Sequence, residues 1–345
     1  MIGKWIFNLR ACKAHRATFW RVLSTRPLII YLQGSVKHMV HLHRRLAGRR
    51  AYFLRGPIFC EEQARYARRW PRYQRLARKY YPEHEVVLLT NTAAIAEAWR
   101  RLGADARFCN QNGLLDERLH VIHRGCRKDF DAVLNAQMED FKRHELAVDV
   151  RNLALITYRI DYQPSYFERI RALLSHADWL NFSSGSYVML PAAEVSRQVS
   201  RARVGLILSA VEGANYATVE YLLSGIPVVS TRCRGGREVF FDERCVRVVD
   251  DTPSAVAEGV RDLIARDLEP EFVRACVLER VLQHRSKFVG ILQEFCDHAG
   301  VQRDVEAEWD HWFVNKMLSW KPLSELDNEL EAAAARDGLP LPSNA

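Results

Sequence analysis

The stretch from Val204 to Glu238, VGLILSAVEGANYATVEYLLSGIPVVSTRCRGGRE, constrains this chain more than any other. It opens on a short apolar run, Val204 to Ser209, of the length expected for a buried parallel strand. A loop with Glu212, Gly213, Ala214 and Asn215 follows, then a helix that runs through Tyr221 and stops at Gly225. Glycine suits the left-handed residue just past a helix end, and Pro227 forbids continuation. A second apolar strand, Ile226 to Thr231, leads into Gly235-Gly236. This is a strand–loop–helix–strand unit whose loop and helix start lie where an α/β sheet presents ligands.

Two carboxylates frame that loop. Glu212 precedes the helix and Glu220 lies inside it, with seven residues between them. Backbone N–H groups at the loop suit an anion, and the flanking acids suit hydroxyls; phosphate plus sugar hydroxyls describes a sugar nucleotide. On these residues the sequence resembles the family-four retaining glycosyltransferases of the GT-B fold (glycosyl transferases group 1). Their two-glutamate signature falls on Glu212 and Glu220, the Gly-Ile/Thr-Pro-Val-Val run on Gly225 to Val229, and the closing Gly-Gly and Glu on Gly235, Gly236 and Glu238. Two glutamates alone mean little; the ordered set in its strand–helix–strand setting is specific. The resemblance implies an α/β, GT-B-like fold: two Rossmann-like domains facing across a cleft, the N-terminal one shortened.

At 345 residues the chain has room for two domains with cores of their own. No apolar run approaches the ~20 residues that span a bilayer, and no secretory h-region with a cleavage site is evident. The eight cysteines are scattered without a C-x-x-C pair, so reduced, mostly buried thiols and a cytoplasmic setting are expected. Charge is uneven. Residues 1–82 hold 19 Lys and Arg against Glu61 and Glu62, a balance of +17, which leaves −9 for the rest of a chain whose total is +8. Such asymmetry points to an anionic partner for the first part.

Along the chain, residues 2–23 place Ile2, Trp5, Ile6, Leu9, Cys12, Phe19, Trp20 and Leu23 on one helical stripe, with Lys4, Arg10, Lys13 and Arg21 largely off it. A basic amphipathic helix with tryptophans reads as a membrane-surface element, and the plainer reading is a helix docked on its own domain. Strands are expected at 27–33, 51–54 and 85–89, with helices at 37–46, 61–80 (broken near Pro71) and 90–102 closed by Gly103. A second series of strands is expected at 130–136, 152–158, 178–183, 204–209, 226–231 and 245–250, with a helix starting at Thr252-Pro253. Residues 270–330 read as helical. The expected division is 1–124 as a basic acceptor-side domain and 125–300 as the nucleotide-sugar domain. Residues 301–330 form a helical segment that could cross back to the first domain, and 331–345 a flexible tail. Asn112-Gly113-Leu114-Leu115-Asp116 resembles a segment near the end of the family's N-terminal domain, though Asn-Gly is also a plain turn signal.

The resemblance implies further roles, residue by residue. Lys142, following the strand at 130–136, would neutralise the donor diphosphate; the arginine five residues earlier in the family is Gln137 here, which brings no charge. Glu220 would accept from ribose hydroxyls, and Glu212 would contact the transferred sugar near the reacting face. Gly213, Ala214, Asn215 and Tyr216 would offer backbone donors, with Asn215 standing where the family has a glycine. Arg55 takes the place of a histidine after the central strand of the N-terminal domain, and could bind the diphosphate or an anionic acceptor. His38, His41 and His43 invite a metal reading, but 43 departs from the face shared by 38 and 41, and no acids or cysteines accompany them. No metal site and no cofactor beyond the nucleotide-sugar substrate are expected.

The leading expectation is a retaining, metal-independent glycosyltransferase. It would act on a glycan or lipid-linked acceptor of the cell envelope, such as a lipopolysaccharide core, at the cytoplasmic side of an anionic membrane. A non-catalytic GT-B relative that binds a sugar nucleotide or scaffolds envelope assembly is the alternative. Nucleic-acid binding through the Arg/Tyr-rich start lacks any motif, and a sugar-nucleotide epimerase fits the glutamate pair less well.

Overall fold

The computed structural model describes residues 2–58, 67–183 and 185–338. The chain divides into two compact units, Met1–Leu114 with Gln283–Ala345, and Leu115–Leu282. These divisions fall at 114/115 and 282/283, where the sequence reading places them at 124/125 and 300/301.

The first unit starts with α1 (Ile2–Asn8), β1 (Ala17–Thr25), β2 (Leu28–Gln33) and α2 (Val36–Arg45). It continues with β3 (Ala51–Arg55), α3 (Arg69–Tyr80), β4 (His84–Thr90), α4 (Ala93–Arg101) and β5 (Ala106–Phe108). The expected helix over 2–23 is corrected: it ends at Asn8, and Ala17–Thr25 is a strand, antiparallel to β2. Thr18, Phe19, Trp20, Val22 and Thr25 are β-branched or aromatic, and a pleated surface accommodates them better than a helix. Arg21, expected on a solvated face, is buried and donates to the Trp312 carbonyl at 2.8 Å. Burial lowers its pKa to about 10. Pro71 does not break α3; it sits in the first turn, where a missing N–H costs nothing. The start of the stretch expected to be helical, 61–66, lies outside the described residues.

The second unit contains β6 (Phe130–Gln137), β7 (Leu153–Tyr158), α5 (Pro164–Leu173), β8 (Asp178–Trp179) and a small hairpin of β9 (Phe182–Ser183) and β10 (Ser186–Tyr187). Then come α6 (Ala192–Val199), β11 (Ala202–Ile207), α7 (Tyr216–Leu223), β12 (Val228–Thr231), β13 (Val246–Val249) and α8 (Pro253–Arg266). Thr252 caps α8 by accepting from the Ala255 N–H, as the Thr-Pro pair predicts. The long α9 (Pro270–Ala299) carries the chain back to the first unit, which ends with α10 (Trp309–Trp312), β14 (Ser319–Pro322) and α11 (Leu326–Arg336). Two expectations change here. Residues 301–330 are not all helical, because β14 pairs antiparallel with β1. The expected tail is helical to Arg336, with Ala333 and Ala334 buried, and its last residues, 339–345, lie outside the described ones.

Each unit is a six-stranded sheet covered on both faces. In the first, strand order is β14-β1-β2-β3-β4-β5, with β2 to β5 parallel. Alternation along β2 sends Ile30 and Leu32 into one core with Phe53, Trp70 and Trp99, and Ile29 and Tyr31 into another with Phe288, Leu292 and Phe295. In the second the order is β13-β12-β11-β6-β7-β8, all parallel. Leu134, Leu155 and Leu206 pack under α5 and α8, while Val133, Ile156 and Ile207 pack against α7 and α9.

Candidate functional site

Strand order in the second unit reverses at the β11–β6 pair: β7 and β8 extend outward on one side, β12 and β13 on the other. Loops leaving the carboxyl ends of the two central strands therefore diverge, and the crevice between them is where open α/β sheets hold ligands. A small recess opens there, lined by Asn135, Lys142, Ser209 and Asn215 together with apolar strand residues.

Glu212 reaches this crevice on the loop after β11. That loop is pinned by backbone bonds to the loop after β12: Glu212 N–H to Arg234 O (3.0 Å), Arg234 N–H to Ala210 O (3.1 Å) and Gly236 N–H to Gly213 O (2.6 Å). Gly235 makes the approach feasible. Its φ is +136°, and a Cβ there would lie 1.6 Å from the Glu212 carbonyl oxygen. So the Gly-Gly pair serves the glutamate loop mechanically. Asn215 adopts φ +58° and caps α7, its side-chain oxygen accepting from the Thr218 N–H at 3.1 Å. Gly213 is half-buried and Ala214 buried; Tyr216 begins α7.

Helix α7 is held against the sheet by Tyr221. Its ring lies on Gly205, and its hydroxyl accepts from the Asn135 N–H (2.6 Å) while donating to the Val133 carbonyl (3.3 Å). This places Glu220, one residue earlier, within the unit at 8% exposure; Glu212 is at 7%. Lys142, on a 3-10 turn after β6, forms an ion pair with Glu212. Glu220 lies 4.0 Å from the His120 ring. Burial first, and then the carboxylates of Glu220 and Glu212, push the Tyr158 phenol up, so both acids act on one hydroxyl at the end of β7. Gln137 ends β6 opposite Tyr158.

The sequence reading brings Glu212, Glu220, Lys142, Gln137 and Asn215 to one end of one sheet. It misses three neighbours. Arg237 is fully buried; it donates to Ser209 Oγ (2.8 Å) and the Thr231 carbonyl (2.5 Å), and its Nε has no hydrogen-bond partner among the described residues. Burial lowers its pKa, opposed by Cys233 and by Glu212 and Glu238. Arg143, at φ +54°, donates to Leu208 O (2.6 Å) and Thr231 Oγ1 (2.7 Å) and pairs with Asp251. His144 is buried against the Tyr166 hydroxyl, and burial lowers its pKa to about 3. The signal available in the sequence was an arginine set between Gly236 and Glu238, within a motif whose flanks were read.

Arg55 belongs to the other unit. It ends β3, is wholly buried and stacks its guanidinium 3.7 Å over the Trp70 ring. The three histidines of α2 have separate occupations: His38 accepts from the Ser35 N–H (3.0 Å), His41 meets the Cys12 carbonyl (3.0 Å), and His43 meets His84 (2.7 Å) and Tyr73 (2.5 Å). Among the described residues no cluster of His, Cys, Asp and Glu could hold a metal, seven cysteines are free thiols, and no helix is long and apolar enough to cross a membrane.

Two six-stranded α/β units, one with a doubly wound parallel sheet, define the GT-B class of architecture. Solved structures place the chain in it. HepE from Anabaena, crystallised in complex with UDP-glucose, is 14% identical, with 78% of this chain and 80% of that one covered at a TM-score of 0.56. Sucrose-phosphate synthase from Thermosynechococcus elongatus is 14% identical, with 78% and 74% covered at 0.55. TarM is 11% identical, with 81% of this chain and 56% of that one covered at 0.55. The chain has the fold of these structures, the GT-B fold. No family model matches its sequence, and no curated protein matches it either.

Proposed function

We propose that the protein is a retaining glycosyltransferase using a nucleotide-activated sugar. The observation that carries the reading is the convergence of Glu212, Lys142, Asn215 and buried Glu220 at the carboxyl end of the one sheet whose strand order reverses. Glu220 is suited to accept from ribose hydroxyls. Lys142, the start of α7 and buried Arg237 together supply the positive charge that a departing diphosphate requires, with no metal obligatory. In transfer with retention, the bond from the anomeric carbon to the β-phosphate oxygen breaks. The acceptor oxygen bonds the same face, and its proton passes to the leaving phosphate. Lys142 would exchange Glu212 for that phosphate, which frees the Glu212 carboxylate for the sugar.

HepE holds UDP, glucose and UDP-glucose in its crystals, so uridine diphosphate sugars are the first donors to try. The acceptor we favour is a lipid-linked or cell-envelope glycan, motivated by the +17 balance of residues 1–82. Purified protein with UDP-, GDP-, ADP- and dTDP-sugars should hydrolyse or transfer one of them. Lys142→Ala and Glu212→Ala should each lower turnover by about 10²–10³-fold while the fold is kept. Gln137, uncharged where the resembled family has arginine, favours a second reading, a donor-binding protein without transferase activity. Donor binding with no hydrolysis or transfer, unaltered by Glu212→Ala, would establish that one instead.

A further inference from the structure

The first sixty residues hold twelve Lys and Arg and not one Asp or Glu. Helix α1, inside that segment, docks on its own unit chiefly through Phe7, with Lys4 Nζ 4.4 Å from the centre of the Tyr81 ring. Phe7 is 2% exposed and its ring packs on Tyr73, Tyr80 and Tyr81; beside it, Tyr81 Oη donates to Asn8 Oδ1 at 2.7 Å. The chain beyond α1 is tied to α2 by the Cys12 N–H on the Lys37 carbonyl at 3.1 Å. With that side fixed inward, Trp5 (64%), Ile6 (50%) and Leu9 (64%) are left outside as one apolar patch. Lys4, Arg10, Lys13 and Arg16 are exposed around it in sequence, and α3, which packs on α1, exposes Arg72, Arg75, Arg78 and Lys79.

We infer that the outer face of α1 docks on an anionic lipid bilayer, with Trp5, Ile6 and Leu9 entering the interface and the surrounding cations on the headgroups. Seven residues are too few to form a stable helix alone in water. Here the helix is already formed by its seat on Phe7, so binding does not have to order it. Tryptophan beside aliphatic residues suits the headgroup–acyl boundary, and basic side chains with no nearby acid in sequence suit its charge. A second copy of the chain is a poor occupant, since it would bring two strongly basic surfaces together. The inference rests on exposure and charge, not on the donor reading, and vesicle binding and donor binding can fail separately.

The test is co-sedimentation of the full chain with vesicles of phosphatidylglycerol and phosphatidylcholine, against phosphatidylcholine alone, at low and high salt. The wild type should pellet with the anionic vesicles, less so at high salt. The triple substitution Trp5→Ser, Ile6→Ser, Leu9→Ser should weaken partition about tenfold or more. Those three side chains are exposed, so unchanged circular dichroism is expected; Lys13→Glu with Arg16→Glu is a second variant should the first misfold. Met189→Ser, at a residue 67% exposed in the other unit, should leave binding unchanged. Failure to pellet, or equal loss with Met189→Ser, would overturn the inference. So would a dimer in solution that the triple variant abolishes without any vesicle binding, since a second copy would then own the patch.

Discussion

Asn215 holds its backbone at φ +58° while its side chain caps α7. Both roles suit asparagine, which visits the left-handed region more readily than other residues with a Cβ and is a strong N-cap. Asn215→Ala loses both and should cost about 1–2 kcal/mol in urea denaturation; Asn215→Gly should stay within about 0.5 kcal/mol, because glycine recovers the backbone term. Buried Arg237 is the other residue whose substitution is informative. Arg237→Met keeps most of the volume and removes the charge, so nucleotide-sugar affinity should fall at least about tenfold by calorimetry while uncharged-sugar binding does not change. The placement of Glu212 and Glu220 could be read because they straddle a strand-to-helix turn, and the end of that helix is marked by Gly225 and Pro227. Arg237 could not, since one arginine opening a short 3-10 turn carries no period, and its burial is decided by Ser209, just past β11, and by Thr231 at the end of β12.

At the scale of elements, the loop after β11 depends on the loop after β12. Gly235→Ala would force a Cβ onto the Glu212 carbonyl at 1.6 Å, so the backbone bonds between the two loops must part. We expect a loss of about 2–4 kcal/mol in denaturant titration, with donor binding lost as well. The central second-unit strands β6, β7, β11 and β12 were legible because parallel strands buried on both faces read as continuous apolar runs. The strand expected at 178–183 is corrected, since only Asp178–Trp179 joins the sheet and Phe182–Ser183 belongs to the hairpin. β1 and β14 were not legible. Phe19, Trp20 and Leu23 satisfy a helical stripe as readily as a strand, and the antiparallel ladder that decides the matter, Ala17 with Pro322 to Trp20 with Ser319, joins segments about three hundred residues apart. Ser319–Pro322 is too short to announce itself at all.

Over the whole molecule, buried neutral histidines set the response to acid. Burial lowers the pKa of His43 well below its ordinary value, of His144 to about 3 and of His284 to about 4, and lowers His84 also. The unfolded chain binds these protons near pH 6.5 and the folded chain does not, so stability is full above that pH and falls as pH drops toward the folded values. Each such group contributes about 1.4 kcal/mol per pH unit inside its window. The urea midpoint should therefore fall steeply between pH 7 and pH 5; a flat profile would mean that these rings protonate in place. The segregation of charge, +17 in the first 82 residues against −9 elsewhere, is a property of the whole chain that composition discloses and no single element does. The central claim, that the carboxyl end of the reversing sheet grips a sugar nucleotide, is tested most directly by thermal and chemical unfolding of wild type and Glu220→Ala with UDP-glucose and with GDP-, ADP- and dTDP-linked sugars. One donor at a hundredfold excess over its Kd should stabilise the wild type by about 2–3 kcal/mol and leave Glu220→Ala nearly unmoved. No stabilisation by any of them, or equal stabilisation of both proteins, would contradict the account.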